Sequence, residues 1–433
     1  MRVLGVGETC DLGDMYWRLQ RAGHEVRVFI EDPDSHDVFG GIVPRTSDWR
    51  AELTWIRAAG RDGLVVFESA AKGEWQDALR SEGYRVVGGS QYGDRLEANR
   101  EFGQSALRAA GLRTARTREF KSFDAALDFL RAQPGRYVFK SNGAGAPRTR
   151  NYIGQLEDGA DMRAFLALQR TQLSPGSCTD FVLMDHVEGV EVGVGAYFNG
   201  HRFLDPPLVD WEHKRFFPGD IGELTGEMGT IVSYEGAANI FRSTLACVAD
   251  QLRAAGHCGY INLNLIANPE GLWPLEFTSR FGYPGFAICD ALHDEDWASV
   301  LVKMVDAHAT RIQTRTGFAC GVVLTVPPFP YRYGYDELSK GLPITFRKTA
   351  SAAHKDALHF GEIAKVGGQL VTSGQAGYVG VATGTGLNVN EARRAAYDAV
   401  QRLCIPNMRY REDIGLRLVG GDLERLRTWG YLS

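Results

Sequence analysis

Residues 275–282 read LEFTSRFG, an apolar strand that ends in a carboxylate, an oxygen-bearing residue and an arginine. Such an end makes a polar exit from a sheet: carboxylate oxygens suit a hard divalent cation, and a guanidinium suits an anion. Standing alone, the stretch reads rather as a strand end closed by a solvated Glu276–Arg280 pair. It does not stand alone. The preceding strand, GYINLNLI at 259–266, places Asn262 and Asn264 on one face by period-two alternation. Amides on a central strand face need polar company, which a metal or substrate site supplies.

Residues 210–229 read DWEHKRFFPGDIGELTGEMG and gather Glu212, His213, Lys214, Arg215 and Asp220 among several glycines. The pattern predicts a long loop, and loops of this length inside a domain usually carry function. Its lysine and arginine suit phosphate oxygens, and Gly226 and Gly229 allow the backbone to approach a small ligand. A solvated surface loop is the competing reading.

Outward from these stretches the chain has a clear order. The first ninety residues alternate RVLGVG, HEVRVFI, GLVVF and YRVVGG with the helical GDMYWRLQRAG and EWQDALRSEG. That rhythm predicts βαβ units on a parallel sheet. Gly5, Gly7 and Gly13 punctuate the first strand-to-helix turn, where backbone amides can cradle an anion, although the full dinucleotide fingerprint is missing. Residues 94–111 show one helical period anchored by Leu96, Phe102 and Leu107 and stopped by Gly111. Residues 117–190 then read as a compact α+β lobe, with a helix capped by Ser122, the strand RYVFKS, a Gly-rich loop, a helix near 160–171 and the strand FVLMDHV. Strand patterns resume at GVGAYFNGHRFLDPP, GYINLNLIA and LWPLEF around a helical stretch at 236–255. After residue 312 come short strands, Gly-rich turns and the helix NEARRAAYDAVQRL. The expected division is an N-terminal α/β domain at 1–93, a middle domain at 94–312 with a lobe at about 117–187, and a C-terminal α+β domain at 313–433.

Composition bounds the function. The 433 residues are 44% hydrophobic and 23% charged, without a run of about 18 apolar residues that would suggest a membrane span. The N-terminus lacks the apolar region of a signal peptide, and a cytoplasmic protein is expected. Seven scattered cysteines without metal-type pairs read as reduced, buried thiols. A net charge of −5 gives no global reason to bind nucleic acid or anionic membrane, so small-molecule substrates are expected, handled by a monomer or homodimer.

In order and spacing, EHKR, PGD, TGEMG and EFTSRFG resemble the Asp-His-Lys-Arg, Gly-Asp, Thr-Gly-Gly-Met-Gly and Glu-Phe-Asn-x-Arg-Phe-Gly motifs of the phosphoribosylamine–glycine ligase (glycinamide ribonucleotide synthetase) family. LHFGEIAKVGGQLVTSGQAGYVGVATGTG and YREDIGLR resemble that family's last domain, so the likeness spans nearly the whole chain. The resemblance implies an ATP-grasp fold and an ATP-dependent, ADP-forming ligase of purine biosynthesis. Such an enzyme activates an amino acid carboxylate, glycine in the family, as an acyl phosphate for attack by an amine such as phosphoribosylamine. It implies ATP with Mg²⁺ or Mn²⁺. Arg100 then meets the α-phosphate, Lys140 is the second nucleotide lysine, the backbone of Asp185, His186 and Val187 meets the base, and Glu191 meets the ribose. Lys214 faces the transferred phosphoryl and Arg280 the acyl substrate, with Glu212 and His213 beside them as catalytic residues. Glu276, with Asn262 and Thr278, holds the metal.

Three departures mark this chain. The phosphate-covering loop reads SNGAGAPRTRNYIG, with Pro147 removing an amide and Arg148 and Arg150 in place of a lysine. Thr278 replaces the family's asparagine, and Tyr283 replaces the acid after Phe-Gly. The first turn, GVGETCDLGD, brings Glu8, Asp11 and Asp14 to the place where the family receives phosphoribosylamine, and acids repel a phosphate. Nearby Arg18 and Arg45 are the cations that would have to outweigh them. Alternatives are therefore an ATP-grasp ligase serving a different, cationic amine outside purine synthesis, or a nucleotide-binding relative without catalysis.

Overall fold

The computed structural model describes residues 1–141, 151–172 and 180–433, so Pro147, Arg148 and Arg150 of the Gly-rich loop lie outside the described residues. The N-terminal apolar runs form a four-stranded parallel sheet in the order Glu25–Ile30, Arg2–Gly7, Gly63–Phe67, Val86–Val87. All five residues of Gly63–Phe67 are buried, as expected of a parallel strand covered on both faces. The helix Gly13–Arg21 lays Met15, Tyr16 and Leu19 against it.

At the centre lies an eight-stranded antiparallel sheet. Its order is Gly271–Thr278, Cys258–Asn268, Val190–Asn199, Leu208–Glu212, Gly229–Ser233, Phe318–Thr325, Tyr378–Gly386, Leu358–Phe360. The last three strands come from the segment beyond residue 312, which therefore continues the central sheet and shares its apolar core. The lobe is different. Its four strands run in the order Thr117–Phe120, Phe181–Asp185, Tyr137–Ser141, Tyr152–Ile153, and carry the helices Phe123–Ala132 and Ala160–Gln172. Phe123, Leu130, Phe139, Leu166 and Phe181 give it a core of its own, so the lobe is built as a separate packing unit.

Three local expectations change. The helix read over 94–111 is broken into Gln91–Ala98 and Arg100–Ala109, because Asn99 is extended and its side chain caps the second helix at the amide of Phe102, 2.9 Å away. The stretch at 236–255 is likewise divided, into Ala238–Arg242, a 3₁₀ turn at Leu245–Val248 and Ala249–Ala254. The expected loop at 210–229 contains a small hairpin, Arg215–Phe217 with Ile221–Leu224, folded back so that the amide and hydroxyl of Thr225 both reach the carbonyl of Lys214 at 2.8 Å. Arg411 fixes this hairpin from beneath. Its guanidinium, 1% exposed, bonds the carbonyl of Arg215 and the carboxylates of Asp220 and Asp413. Among the described cysteines Cys10, Cys258, Cys289 and Cys320 are buried, whereas Cys247 is exposed and Cys404 half-buried.

Candidate active site

The strand registers place one polar face across the middle of the central sheet. Asn262 stands opposite Thr278 and Asn264 opposite Glu276, while Gly195 and Gly193 stand opposite the two asparagines from the other side. Asp210 is opposite Gly193, and Glu212 follows two residues on. Glycine is needed at 193, since a Cβ there would sit 2.2 Å from Oδ1 of Asp210. The amide nitrogen of Asn264 donates to Oε2 of Glu212 at 3.1 Å, and that of Asn262 donates to Asp210 and Tyr260. The expectation of polar company for both asparagines is met chiefly by carboxylates.

Lys214 sits above this face at the base of the hairpin. Its Nζ lies 3.0 Å from Glu191, 3.1 Å from Glu212 and 3.9 Å from Glu276. Burial disfavours its charge, but Glu191, Glu212 and Glu276 outweigh burial and hold its pKa well above the usual lysine value. The break at Asn99 puts Arg100 at the first turn of its helix, with Nη2 3.2 Å from the other oxygen of Glu276. Lys140 reaches the same region from the lobe. Burial, together with Arg100 and Lys214, lowers its pKa to about 8 against the pull of Glu276 and Glu191. Arg100, Lys140, Glu191, Lys214 and Glu276 are thus electrostatic neighbours, although they come from five separate parts of the chain.

A cleft of about 380 Å³ opens beside them, lined by Glu97, Arg100, Lys214, Gly226, Glu276 and Thr278. The donors facing it are oxygen atoms and fixed cations, a set that fits phosphate together with a hard divalent ion. Among the described residues no three His, Cys, Asp or Glu side chains converge as a metal centre by themselves. The residues nominated for the metal are one carboxylate, one amide and one hydroxyl, and Glu276 stands 43% exposed to the cleft.

The last strand of the lobe leads into Asp185, His186 and Val187, whereas Arg280 follows the central-sheet strand Gly271–Thr278. Asp185 ends the strand Phe181–Asp185 and is paired with Arg118 at 2.8 Å. The amide of His186 bonds the carbonyl of Arg136, and its ring lies against the Arg136 guanidinium, so burial and Arg136 lower its pKa. Val187 follows, half-buried, before the strand that carries Glu191. Arg280 is held by Glu97, with Nε 3.1 Å from Oε1, and the other oxygen of Glu97 accepts the amide of Ser279 at 2.9 Å.

His213 is not part of this cluster. In an extended run 212 and 214 point one way and 213 the other. Its ring is 1% exposed, its Nε2 accepts the amide of Gly415 at 3.0 Å, and burial with Arg417 and Arg411 lowers its pKa to about 4. It is a neutral structural histidine that ties the hairpin base to the C-terminal segment. Asp210, Glu227 and Glu97 join the site without having been nominated by the sequence. Asp210 had a signal, since it precedes Glu212 by two residues in one strand and must share its face. Glu97 had none that distinguishes it from a solvated helix acid.

The chain is similar to known proteins along most of its length. The family model described as "Phosphoribosylglycinamide synthetase, ATP-grasp (A) domain" matches residues 98–286, and the C-domain model of the same family matches residues 319–417. The chain is 27% identical to a phosphoribosylamine–glycine ligase of Neisseria meningitidis serogroup B over 96% of this chain and 98% of that protein. It is 28% identical to one from Nostoc sp. over 79% of this chain and 80% of that protein. Among solved structures, the Thermotoga maritima phosphoribosylamine–glycine ligase superposes with a TM-score of 0.71 at 21% identity, covering 96% of this chain and 100% of that one. A Campylobacter jejuni biotin carboxylase superposes at 0.64 with 11% identity, over 98% of this chain and 96% of that one.

Proposed function

We infer the reaction from the family to which the chain belongs, the phosphoribosylglycinamide synthetases, which are ATP-grasp ligases that form a C–N bond at the expense of ATP. The carboxylate substrate is an amino acid, glycine by analogy with the named relatives, and it is activated as an acyl phosphate. The observation that carries this reading is the Lys214 ammonium fixed between Glu191, Glu212 and Glu276, with Arg100 lining the same cleft and Lys140 an electrostatic neighbour of all of them but Glu212.

A carboxylate oxygen attacks the γ-phosphorus, the bond from phosphorus to the ADP oxygen breaks, and ADP leaves. The amine nitrogen then attacks the acyl carbon, the carbon–oxygen bond to phosphate breaks, and inorganic phosphate and a proton depart. In this reaction the protein positions and neutralises rather than forming bonds itself. Arg100 and Lys140 offset the charge of the nucleotide phosphates. Lys214 offers its ammonium to the transferred phosphoryl group, where negative charge is spread over the equatorial oxygens. The carboxylates around Lys214 keep it protonated and in place. Arg280, oriented by Glu97, receives the amino acid carboxylate. The Asp185–Val187 backbone and Glu191 hold the nucleoside. A divalent cation, Mg²⁺ or Mn²⁺, would be held by Glu276 with Thr278 and Asn262 and would neutralise phosphate oxygens. His213, turned away, takes no part.

The test is activation without an acceptor. Purified protein with ATP, Mg²⁺, glycine and hydroxylamine should yield ADP and glycine hydroxamate. Absence of hydroxamate with glycine and with every other amino acid tried would refute the ligase reading.

A further inference from the structure

We propose that Arg417 is a positioning residue for phosphoryl transfer, acting through the backbone of Glu212 and the carboxylate of Asp220 to hold the Lys214 ammonium in place. The proposal rests on the ligase reading above and concerns the same step.

A lysine carries its ammonium on a flexible four-carbon stem, so the charge stays in position only if both the stem's backbone and the charge itself are held. Glu191, Glu212 and Glu276 hold the charge of Lys214. A separate set of bonds fixes the backbone, one carbonyl after another over four consecutive residues. The carbonyl of Glu212 accepts from Nη2 of Arg417 at 3.0 Å, and that of His213 from the amide of Met228 at 2.8 Å. The carbonyl of Lys214 accepts from the amide and hydroxyl of Thr225 at 2.8 Å, and that of Arg215 from Nη1 of Arg411 at 2.9 Å. Met228 and Thr225 belong to the same 210–229 stretch. The two arginines come from 205 and 196 residues away.

The same guanidiniums meet again at the tip of the hairpin. Asp220 receives Arg411 on Oδ1 at 2.9 Å and Arg417 on Oδ2 at 3.2 Å. Asp413, paired with Arg411, accepts the amide of Gly219 at 2.9 Å. Asp220 needs such support, because its φ of 55° is a left-handed conformation that a non-glycine residue adopts at some cost. Base and tip of the hairpin are therefore joined through residues 411–417, and Arg417 bridges the two.

The two arginines differ in what their loss would do. Arg411 is 1% exposed, and removing it would strand the carboxylates that surround it and endanger the fold. Arg417 is 41% exposed, where an ion pair contributes little to stability. Its contribution is geometric. Glu212, whose carbonyl it holds, places its carboxylate 3.1 Å from the Lys214 ammonium and accepts the amide of Asn264 at 3.1 Å. Arg417 itself lies outside the residues that line the cleft, so it reaches the reaction only through these neighbours. Displacing a stabilising group by about 1 Å can cost about a hundredfold in rate. Arg100, Lys140 and Asp185 to Val187, assigned above to the nucleotide, stand on other elements, so ATP binding is spared.

The experiment measures ADP formation with ATP, Mg²⁺, glycine and hydroxylamine in the parent, Arg417→Met, Arg417→Lys, Lys214→Met and the two double variants. Arg417→Met should lower kcat about tenfold while the KM for ATP stays within about twofold of the parent. Arg417→Lys keeps the charge but not the planar fork that serves two acceptors, and should be impaired as well. In the Lys214→Met background neither change should lower kcat further, because the group being positioned is gone. A parent-like kcat in either single Arg417 variant, a KM for ATP raised as much as kcat is lowered, or a further loss of the same size in the double variants overturns the proposal. If Arg417→Met does not fold, the Arg417→Lys cycle decides alone. An active parent with an additive cycle removes only the role of Arg417, whereas a parent that forms no ADP removes the ligase reading and this proposal with it.

Discussion

Oε1 of Glu276 lies 3.9 Å from the ammonium of Lys214, and its other oxygen lies 3.2 Å from Arg100. One carboxylate therefore orients the two cations nearest the cleft while facing it as an oxygen donor. Glu276→Gln keeps the volume and removes the charge. It should abolish Mg²⁺-dependent ADP formation while leaving the thermal unfolding profile near that of the parent. Turnover at the parent rate in this variant would dismiss Glu276 as a metal ligand.

Lys214→Met removes the ammonium but keeps the stem. Glu191, Glu212 and Glu276 then lose the ammonium they share, and the phosphoryl group loses its donor. The rate of ADP formation should fall by about 10²–10³-fold, the scale for losing one preorganised donor. A fall in ATP affinity alone, with kcat retained, would place Lys214 in binding rather than in the chemical step.

Lys140, with its pKa lowered to about 8, serves the nucleotide only while protonated. Its contribution is present below that value and is lost as pH rises through it. Lys140→Ala should weaken ATP binding by about 1.5–3 kcal/mol at pH 7, as for a charge-assisted hydrogen bond, and by less at pH 9. Nucleotide titration at both pH values checks this, and an equal deficit at both would assign the effect to packing.

Glu68 gives a stability prediction with a definite sign. Burial and Asp11 raise its folded pKa to about 8, above the ordinary glutamate value of 4.5, so the unfolded chain releases this proton first. The favourable contribution of the neutral acid is complete below about 4.5 and is lost progressively as pH rises to about 8. Cys10, Asp11 and Tyr16 are the titratable groups facing it. Glu68→Gln should match the parent near pH 4.5 and exceed it near pH 8 by roughly 3–5 kcal/mol, because each pH unit between the two pKa values is worth about 1.4 kcal/mol. Thermal unfolding across that range tests it, and a variant less stable at pH 8 would show that the ionised form is the one the fold holds.

Much of this site is legible in the chain because it depends on local rules. Alternation alone puts Asn262 beside Asn264 and leads to the Glu276 strand end, and the apolar runs of the first ninety residues dictate a parallel sheet. What was not legible depends on contacts distant in sequence or on a single competing side chain. Asn99 breaks a regular helical period because its cap outweighs helix continuation, and that break is what aims Arg100 at Glu276. The hairpin inside 210–229 closes on the carbonyl of Lys214 and on Arg411, about two hundred residues away. His213 shares a run of charge with its neighbours, yet strand geometry sends it to the opposite face. Glu68 carries no motif, and its role becomes visible only when its strand is laid beside the first turn.

The acyl phosphate is the central claim, and its most direct measurement follows oxygen. With amino acid labelled by ¹⁸O in both carboxylate oxygens, an acceptor amine and ATP, the account predicts one ¹⁸O in each inorganic phosphate released, with ADP as the nucleotide product. Amide formed with unlabelled phosphate, or with label appearing in AMP, would contradict it.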